Sequence, residues 1–190
     1  LWYSLDYSNS NAKKTEFENS IRDLVVDSCK DFEIHYQPVV DTEGKIYGAG
    51  YEIYIVAFFI GLYFDKRKPL VTDKSKRKGF GQPIMYWGNG EVRNLRSQYG
   101  SIRNYIFAAL VAKTDVDLIA LDKGEVSDKE IVAQLITTME EYANYGFAYM
   151  SEMLEDNPNY FFKEGAFLSM FLQFITEEKN DEDDAPESLD

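Results

Sequence analysis

The side chains that most often carry catalysis are scarce, and this narrows the chemistry open to the chain. His35 is the sole histidine and Cys29 the sole cysteine. A Ser-His-Asp triad would have to use His35, but no G-x-S-x-G elbow accompanies it, and the alternation around it reads as a surface position on a strand. One cysteine and one histidine fall short of a zinc site. Cys29 lies on the apolar side of an expected helix, where a thiol packs as a small hydrophobe and has no second cysteine to pair with. Lys66, Arg67, Lys68, Lys74, Lys76, Arg77 and Lys78 crowd one segment, a candidate patch for phosphates or for an acidic partner. Tyr86 and Trp87 follow, and aromatics beside cations either stack a base or anchor a loop on the core. The glycines of "GFGQPIMYWGNG" lack the strand, spacing and helix of a nucleotide fingerprint and read as turns.

A net charge of −13 repels a polyanion at long range, so duplex nucleic acid is not an expected partner. With 45% hydrophobic residues, 15% of the chain being aromatic, the composition is that of a globular protein. One domain is expected over residues 1–176, followed by an acidic segment, 177–190, with no apolar face and the composition of a disordered stretch. The most apolar run, Ile53 to Phe64, is shorter than the ~20 residues that cross a bilayer, so no membrane span is expected. The single cysteine and the lack of a basic region followed by an apolar leader point to the cytoplasm.

The positioning elements follow from periodicity and caps. Thr15 with Glu18 forms a capping-box pattern, and Phe17, Ile21, Leu24, Val25 and Cys29 recur at helical spacing, predicting a helix over about 16–29. Phe32, Ile34 and Tyr36 then alternate with Glu33, His35 and Gln37, and Asp41 to Gly44 supplies turn chemistry before Lys45 to Ala49, so a β-hairpin is expected. Tyr51 to Phe64 suits either a strand or a buried helix. Residues 65–94 read as a long loop, with "PIMYW" as a short strand within it. Ile102 to Ala112 reads as a helix, Val116 to Leu121 as a strand, and Ser127 with Glu130 as the capping box of a helix whose core stripe is Ile131, Leu135, Met139 and Tyr142. Gly146 is expected to stop that helix, Phe147 to Met150 to form another strand, and Asn157 with Pro158 to open a last helix to about Ile175. Phe161, Phe167, Leu168, Phe171, Leu172 and Ile175 make its aromatic stripe, either core or a homodimer face.

"FENSIRDLVVDSCKDFE" and "YQPVVDTEGKIYGA", spanning residues 17–49, resemble the opening of EAL domains, the bacterial phosphodiesterases of cyclic di-GMP. "VDLIALDK" and "YGFAYMSEMLE" are similar to two later strands of that family. The resemblance implies an α/β fold, reduced from a (β/α)₈ barrel because the interval between "YQP" and "LDK" is too short for all its units. It places Gly50 where the family has a metal-binding glutamate and Ala120 where it has a lysine. Gln37, Asp122, Glu152 and Glu155 fall on ligand positions, and Asn94 would stand for a strand-borne asparagine. Without the first-shell carboxylate, a pair of divalent ions is hard to hold.

Three functional expectations follow. The leading one is a non-catalytic, degenerate EAL-like regulatory or protein-interaction domain without cofactor, retaining a site for a cyclic dinucleotide. The second is a divergent phosphodiesterase holding Mg²⁺ or Mn²⁺ through Glu52, Asp122 and Glu152. The third is a mainly α fold with an N-terminal β-hairpin, an aromatic-rich binding or assembly protein whose contact surfaces are the basic loop and the acidic segment.

Overall fold

A computed structural model describes residues 24–43, 50–79, 83–88, 99–163, 165–166, 168–170 and 172. The architecture is helical, not the expected α/β arrangement. Its elements are β1 (Val25–Val26), α1 (Cys29–Glu43), α2 (Gly50–Tyr63), β2 (Lys78–Gly79), α3 (Ile102–Lys113), α4 (Leu118–Asp122) and α5 (Asp128–Asp156). Single 3₁₀ turns lie at Lys74–Lys76, Ile84–Tyr86 and Tyr160–Phe162. The two strands pair antiparallel, Val25 with Gly79 and Val26 with Lys78, and no longer strand occurs among the described residues.

The 29-residue helix α5 is the axis of the fold, roughly 44 Å long at 1.5 Å per residue. Its start is the expected capping box: Ser127 Oγ accepts from the Glu130 amide at 3.3 Å while Glu130 Oε2 accepts from the Ser127 amide at 2.9 Å. Ile131, Leu135, Met139 and Tyr142 are buried as the stripe requires. Gly146 does not stop it. A Cβ there would stand 1.9 Å from the Ala57 carbonyl oxygen, and one on Gly61 would stand 2.1 Å from that of Tyr142. These pairings run in opposite directions, so α2 crosses α5 antiparallel with the two backbones in contact. Glycine is kept inside the helix because only a missing side chain admits the neighbour. Phe147 and Met150, expected in a strand, are buried residues of α5 three positions apart.

Helix α2 settles the ambiguity of the run after Gly50. Tyr51, Ile53, Tyr54, Ile55, Ala57, Phe58, Ile60 and Gly61 are all buried, the pattern of a helix covered on more than one side. It closes with a Schellman motif, in which the Lys66 amide donates to the Gly61 carbonyl at 3.1 Å and the Asp65 amide to that of Leu62 at 3.2 Å. Asp65 takes the left-handed conformation, φ 48°, where glycine is usual. Its carboxylate accepts from Tyr142 Oη at 2.8 Å and pairs with Lys113 Nζ at 2.9 Å, which ties the end of α2 to α5 and α3.

The expected hairpin is corrected to helix α1. Phe32 and Tyr36 alternate with polar residues, but they are also four apart and share one helix face, where their rings stack at 5.0 Å. Phe32 then meets Phe147 of α5 at 5.7 Å, while Ile34 points to solvent at 67% exposure. Pro38 lies inside the helix, removing the amide that would bond the Ile34 carbonyl. Asp41 to Glu43, expected in the hairpin's turn, continue α1, while Gly44 and the second strand, Lys45 to Ala49, lie outside the described residues. So does most of the helix expected over 16–29, whose end is instead β1, a turn and the first residue of α1.

The strand expected at Val116 to Leu121 is corrected to α4, because Asp117 caps it: its carboxylate accepts from the amides of Ile119 (3.0 Å) and Ala120 (2.8 Å). "PIMYW" is a 3₁₀ turn rather than a strand. After Asp156 the chain makes a 3₁₀ turn before residues 166, 168–170 and 172 resume helix, so the last helix starts later than Asn157. Phe161 and Met170 are buried, whereas Leu168 and Leu172 are 63% and 52% exposed.

The crossing gives a direct expectation. Gly146→Ala or Gly61→Ala should destabilise by about 1–3 kcal/mol or more, since the obstruction is backbone and cannot rotate away. Gly50→Ala, with nothing within 4 Å, should be neutral or slightly stabilising. Urea midpoints read all three.

Candidate functional site

The residues singled out for metal chemistry do not converge. Gly50 opens α2 instead of ending a strand, and Glu52 in its first turn accepts from Tyr99 Oη at 2.7 Å. Burial first, and the Tyr51 and Glu52 side chains after it, push the Tyr99 phenol above its ordinary value. Asp122 is the last residue of the short helix α4 and Ala120 is buried within it, while Glu152 and Glu155 lie exposed on α5. Gln37 is exposed and donates to Asp41 at 2.7 Å, one turn along α1. None of these stands at the carboxyl end of a strand, where the resemblance would put it. Among the described residues no cluster of three or more His, Cys, Asp or Glu is placed to hold a metal. Asn94 lies outside the described residues.

The other chemical candidates serve packing. His35 Nδ1 and Ser151 Oγ are 3.0 Å apart, joining α1 to α5. Ser151 is buried in the middle of a helix turn, with no strained elbow to present it. Cys29 is buried and its Sγ donates to the Val26 carbonyl at 3.8 Å. Burial, then the nearby Glu33 charge, push its thiol up to about 12, so no reactive thiolate forms at neutral pH. Trp87 is fully buried, stacked on Tyr51 at 5.5 Å and edge-on to Tyr54 at 5.7 Å, so it anchors the loop and offers no face to a base. Tyr86 is 38% exposed.

The structure instead builds a basic rim, and Asn144 holds its frame. Fully buried on α5, Asn144 accepts through Oδ1 from the amides of Asp27 (3.2 Å) and Ser28 (2.9 Å), and donates through Nδ2 to the carbonyls of Lys68 (3.2 Å) and Pro69 (3.4 Å). One side chain thus clamps the entry to α1 and the start of the lysine loop. The Lys68 amide adds a bond to the Glu141 carbonyl at 3.0 Å, and Asp27 Oδ2 accepts from the Val71 amide at 2.7 Å. Burial opposes ionisation of Asp27, but the hydrogen bonds from Val71, Asn144 and Ser28 prevail and hold its carboxyl below the usual range. The β1–β2 pairing closes the far end of the loop.

On this frame the seven cations separate. Arg67 lies over the Tyr142 ring at 4.9 Å and donates to the Lys113 carbonyl at the end of α3 at 2.5 Å, and Lys66 lies 5.9 Å from the Tyr145 ring centroid. Arg77 donates to the Val71 carbonyl at 2.9 Å and Lys78 pairs with Glu33. Lys68, Lys74 and Lys76 are exposed and form no ion pair among the described residues. Lys30, on the first turn of α1, joins them, its Nζ donating to the Ser75 carbonyl at 3.2 Å. Asp73 sits among them, but its carboxylate is turned onto the amide and hydroxyl of Ser75, at 3.0 and 2.7 Å. Lys30 and Asn144 were not singled out in the sequence. The only signal for Asn144 was a polar residue inside the apolar stripe between Tyr142 and Phe147.

No family model matches the chain, and no curated protein or solved structure matches it either.

Two measurements check this frame. Asn144→Ala strands two amides and two carbonyls and should cost about 1–3 kcal/mol, with faster hydrogen exchange at Ser28 and Val71 and continued protection at the α2–α5 crossing. Asp27 and Asp65 both have carboxyls held below 3.8, Asp65 chiefly by the Lys113 hydrogen bond. A lowered folded value means their contribution is complete above 3.8 and lost as pH falls through the folded values. Stability should therefore drop from roughly pH 5 downward, and drop less in the Asp27→Asn/Asp65→Asn variant.

Proposed function

We propose that the protein is a non-catalytic helical binding protein that docks an acidic protein segment on the rim formed by Lys30, Lys68, Lys74 and Lys76. The observation that carries this reading is the division of labour in the loop. Four basic side chains are spent on rings, carbonyls and Glu33, and the backbone is clamped by Asn144, yet Lys68, Lys74 and Lys76 face solvent on a preset frame, with Lys30 beside them held on the Ser75 carbonyl. Fixed cations of this kind on an otherwise acidic molecule select and orient an anionic partner more than they add raw affinity. The buried Trp87, the solvent-facing Gln37 and the dispersed carboxylates argue for a surface contact over a nucleotide pocket or a metal-dependent phosphodiesterase.

The test is titration of a fluorescein-labelled polyglutamate peptide by anisotropy, at low and at about 0.5 M salt. Binding should weaken at least about tenfold in the Lys30→Glu/Lys68→Glu/Lys74→Glu/Lys76→Glu variant, and should weaken with salt, while Lys123→Glu/Lys129→Glu on another face leaves it unchanged. Equal affinity in all three proteins sinks the proposal. Tight saturable binding of cyclic di-GMP without a peptide response would restore the nucleotide reading.

A further inference from the structure

We propose that the turn Lys74–Lys76 is a processing site for a lysine-directed endopeptidase, and that the cut protein persists as two chains held together by α5. This goes beyond the acidic-partner reading and stands whether or not that reading does. Such an enzyme takes a lysine side chain into an acidic pocket and the flanking backbone, extended, into its cleft. Its substrate is therefore an exposed segment that can leave the body of the fold without opening the core.

The lysine loop meets that demand. No residue from Leu62 to Gly79 is buried, and none from Asp65 to Gly79 belongs to the core or packs against it. Residues 72–76 are exposed and shaped by a few surface hydrogen bonds. Asp73 accepts from the Ser75 amide and hydroxyl, the amides of Lys76 and Arg77 donate to the carbonyls of Asp73 (3.1 Å) and Lys74 (3.2 Å), and Lys30 donates to the Ser75 carbonyl. Bonds open to water cost little to break, since water replaces them. The loop's anchors then choose the peptide bonds. Lys66 closes the Schellman motif, the Lys68 carbonyl is held by Asn144, Arg77 is tied to the Val71 carbonyl and Lys78 is paired in β2. Lys74 and Lys76 are left, so the bonds cut are Lys74–Ser75 and Lys76–Arg77. Water supplies a hydroxyl to the lysine carbonyl carbon and a proton to the departing nitrogen, leaving a new carboxyl and a new amine. Elsewhere, Lys30, Lys113 and Lys129 lie in helices, while Lys123 follows buried Leu121 and Lys163 sits between buried Phe161 and Ala166.

The cut leaves both halves engaged. The first chain carries β1, α1 and α2, and the second carries β2 and α3 to α5. They share the α2–α5 crossing at Gly61 and Gly146, the Phe32–Phe147 contact, the Asn144 bond to the Ser28 amide, the His35–Ser151 pair and the Tyr142 bond to Asp65. None of these passes through residues 72–77, so the buried interface between the chains survives hydrolysis.

Limited digestion of the full chain with lysyl endopeptidase, read by intact mass, tests both parts. Among the lysines of the described residues, Lys74 and Lys76 should be cut first. Lys74→Gln/Lys76→Gln should slow cutting anywhere between α2 and α5 at least about tenfold, with an unchanged urea midpoint. A first cut at Lys30, Lys113, Lys123, Lys129 or Lys163, or equally fast cutting between α2 and α5 in that variant, would overturn the site. The cut protein should elute from size exclusion as one species, keep the helical circular dichroism of the intact chain, and come apart only in denaturant. Chains that separate in native buffer would overturn the two-chain product.

Discussion

The whole fold depends on one close approach, the antiparallel crossing of α2 and α5 at Ala57, Gly61, Tyr142 and Gly146. Side chains usually hold helix axes 8–10 Å apart. Here each glycine receives a carbonyl of the opposite helix, where a Cβ would stand about 2 Å from oxygen. That proximity brings Phe58 edge-on to Tyr142 at 6.3 Å and Tyr54 to Phe147 at 6.2 Å, filling both sides of the crossing with rings. Close-packed aromatics of this kind tolerate little change in volume, so the position of α2 on α5 is narrowly set.

Once α2 is placed, the remaining parts are fastened to the same long helix by polar contacts. Asp65, at the end of α2, engages Tyr142 and Lys113. Asn144, two positions beyond Tyr142, clamps the start of α1 and the lysine loop. A buried amide with all four of its hydrogen-bonding positions used is structurally demanding, because any displacement of the loop would leave polar groups unpaired in a dry environment. The rim therefore owes its shape to a residue in the core. This links packing to function: the loop is irregular in conformation yet held at its base, and its unpaired lysines project from a defined frame.

Several local signals in the chain were decisive and others were evenly balanced. Ser127 with Glu130 predicted a helix start that the structure reproduces, since a capping box is satisfied within four residues and needs no tertiary partner. Ile102 to Ala112 likewise formed a helix. "FEIHY" was misleading because Phe32 and Tyr36 satisfy a strand period and a helix spacing of four at once, and only the facing surface of α5 chooses. "VDLIAL" has the composition of a strand, but Asp117 offers two amides a cap. Gly146 carried the residue type of a stop signal, and its actual role, admitting the Ala57 carbonyl, is invisible without α2. The resemblance of residues 17–49 to EAL domains spanned an expected helix and an expected hairpin, and of these residues Cys29 to Glu43 form one helix.

By itself, then, the sequence determined the charge balance, the lack of a histidine or cysteine cluster for catalysis, the concentration of lysines at 66–78 and the capped start of α5, because each of these is a property of composition or of a few adjacent residues. Tertiary structure decided the rest: that the apolar run after Gly50 is a helix, that Trp87 is an anchor, and which cations remain open to solvent. The physical reason is that burial and hydrogen-bond satisfaction are properties of pairs far apart in the chain. Asn144 meets Ser28 across 116 positions, and no local pattern announces which distant amide a buried side chain will find.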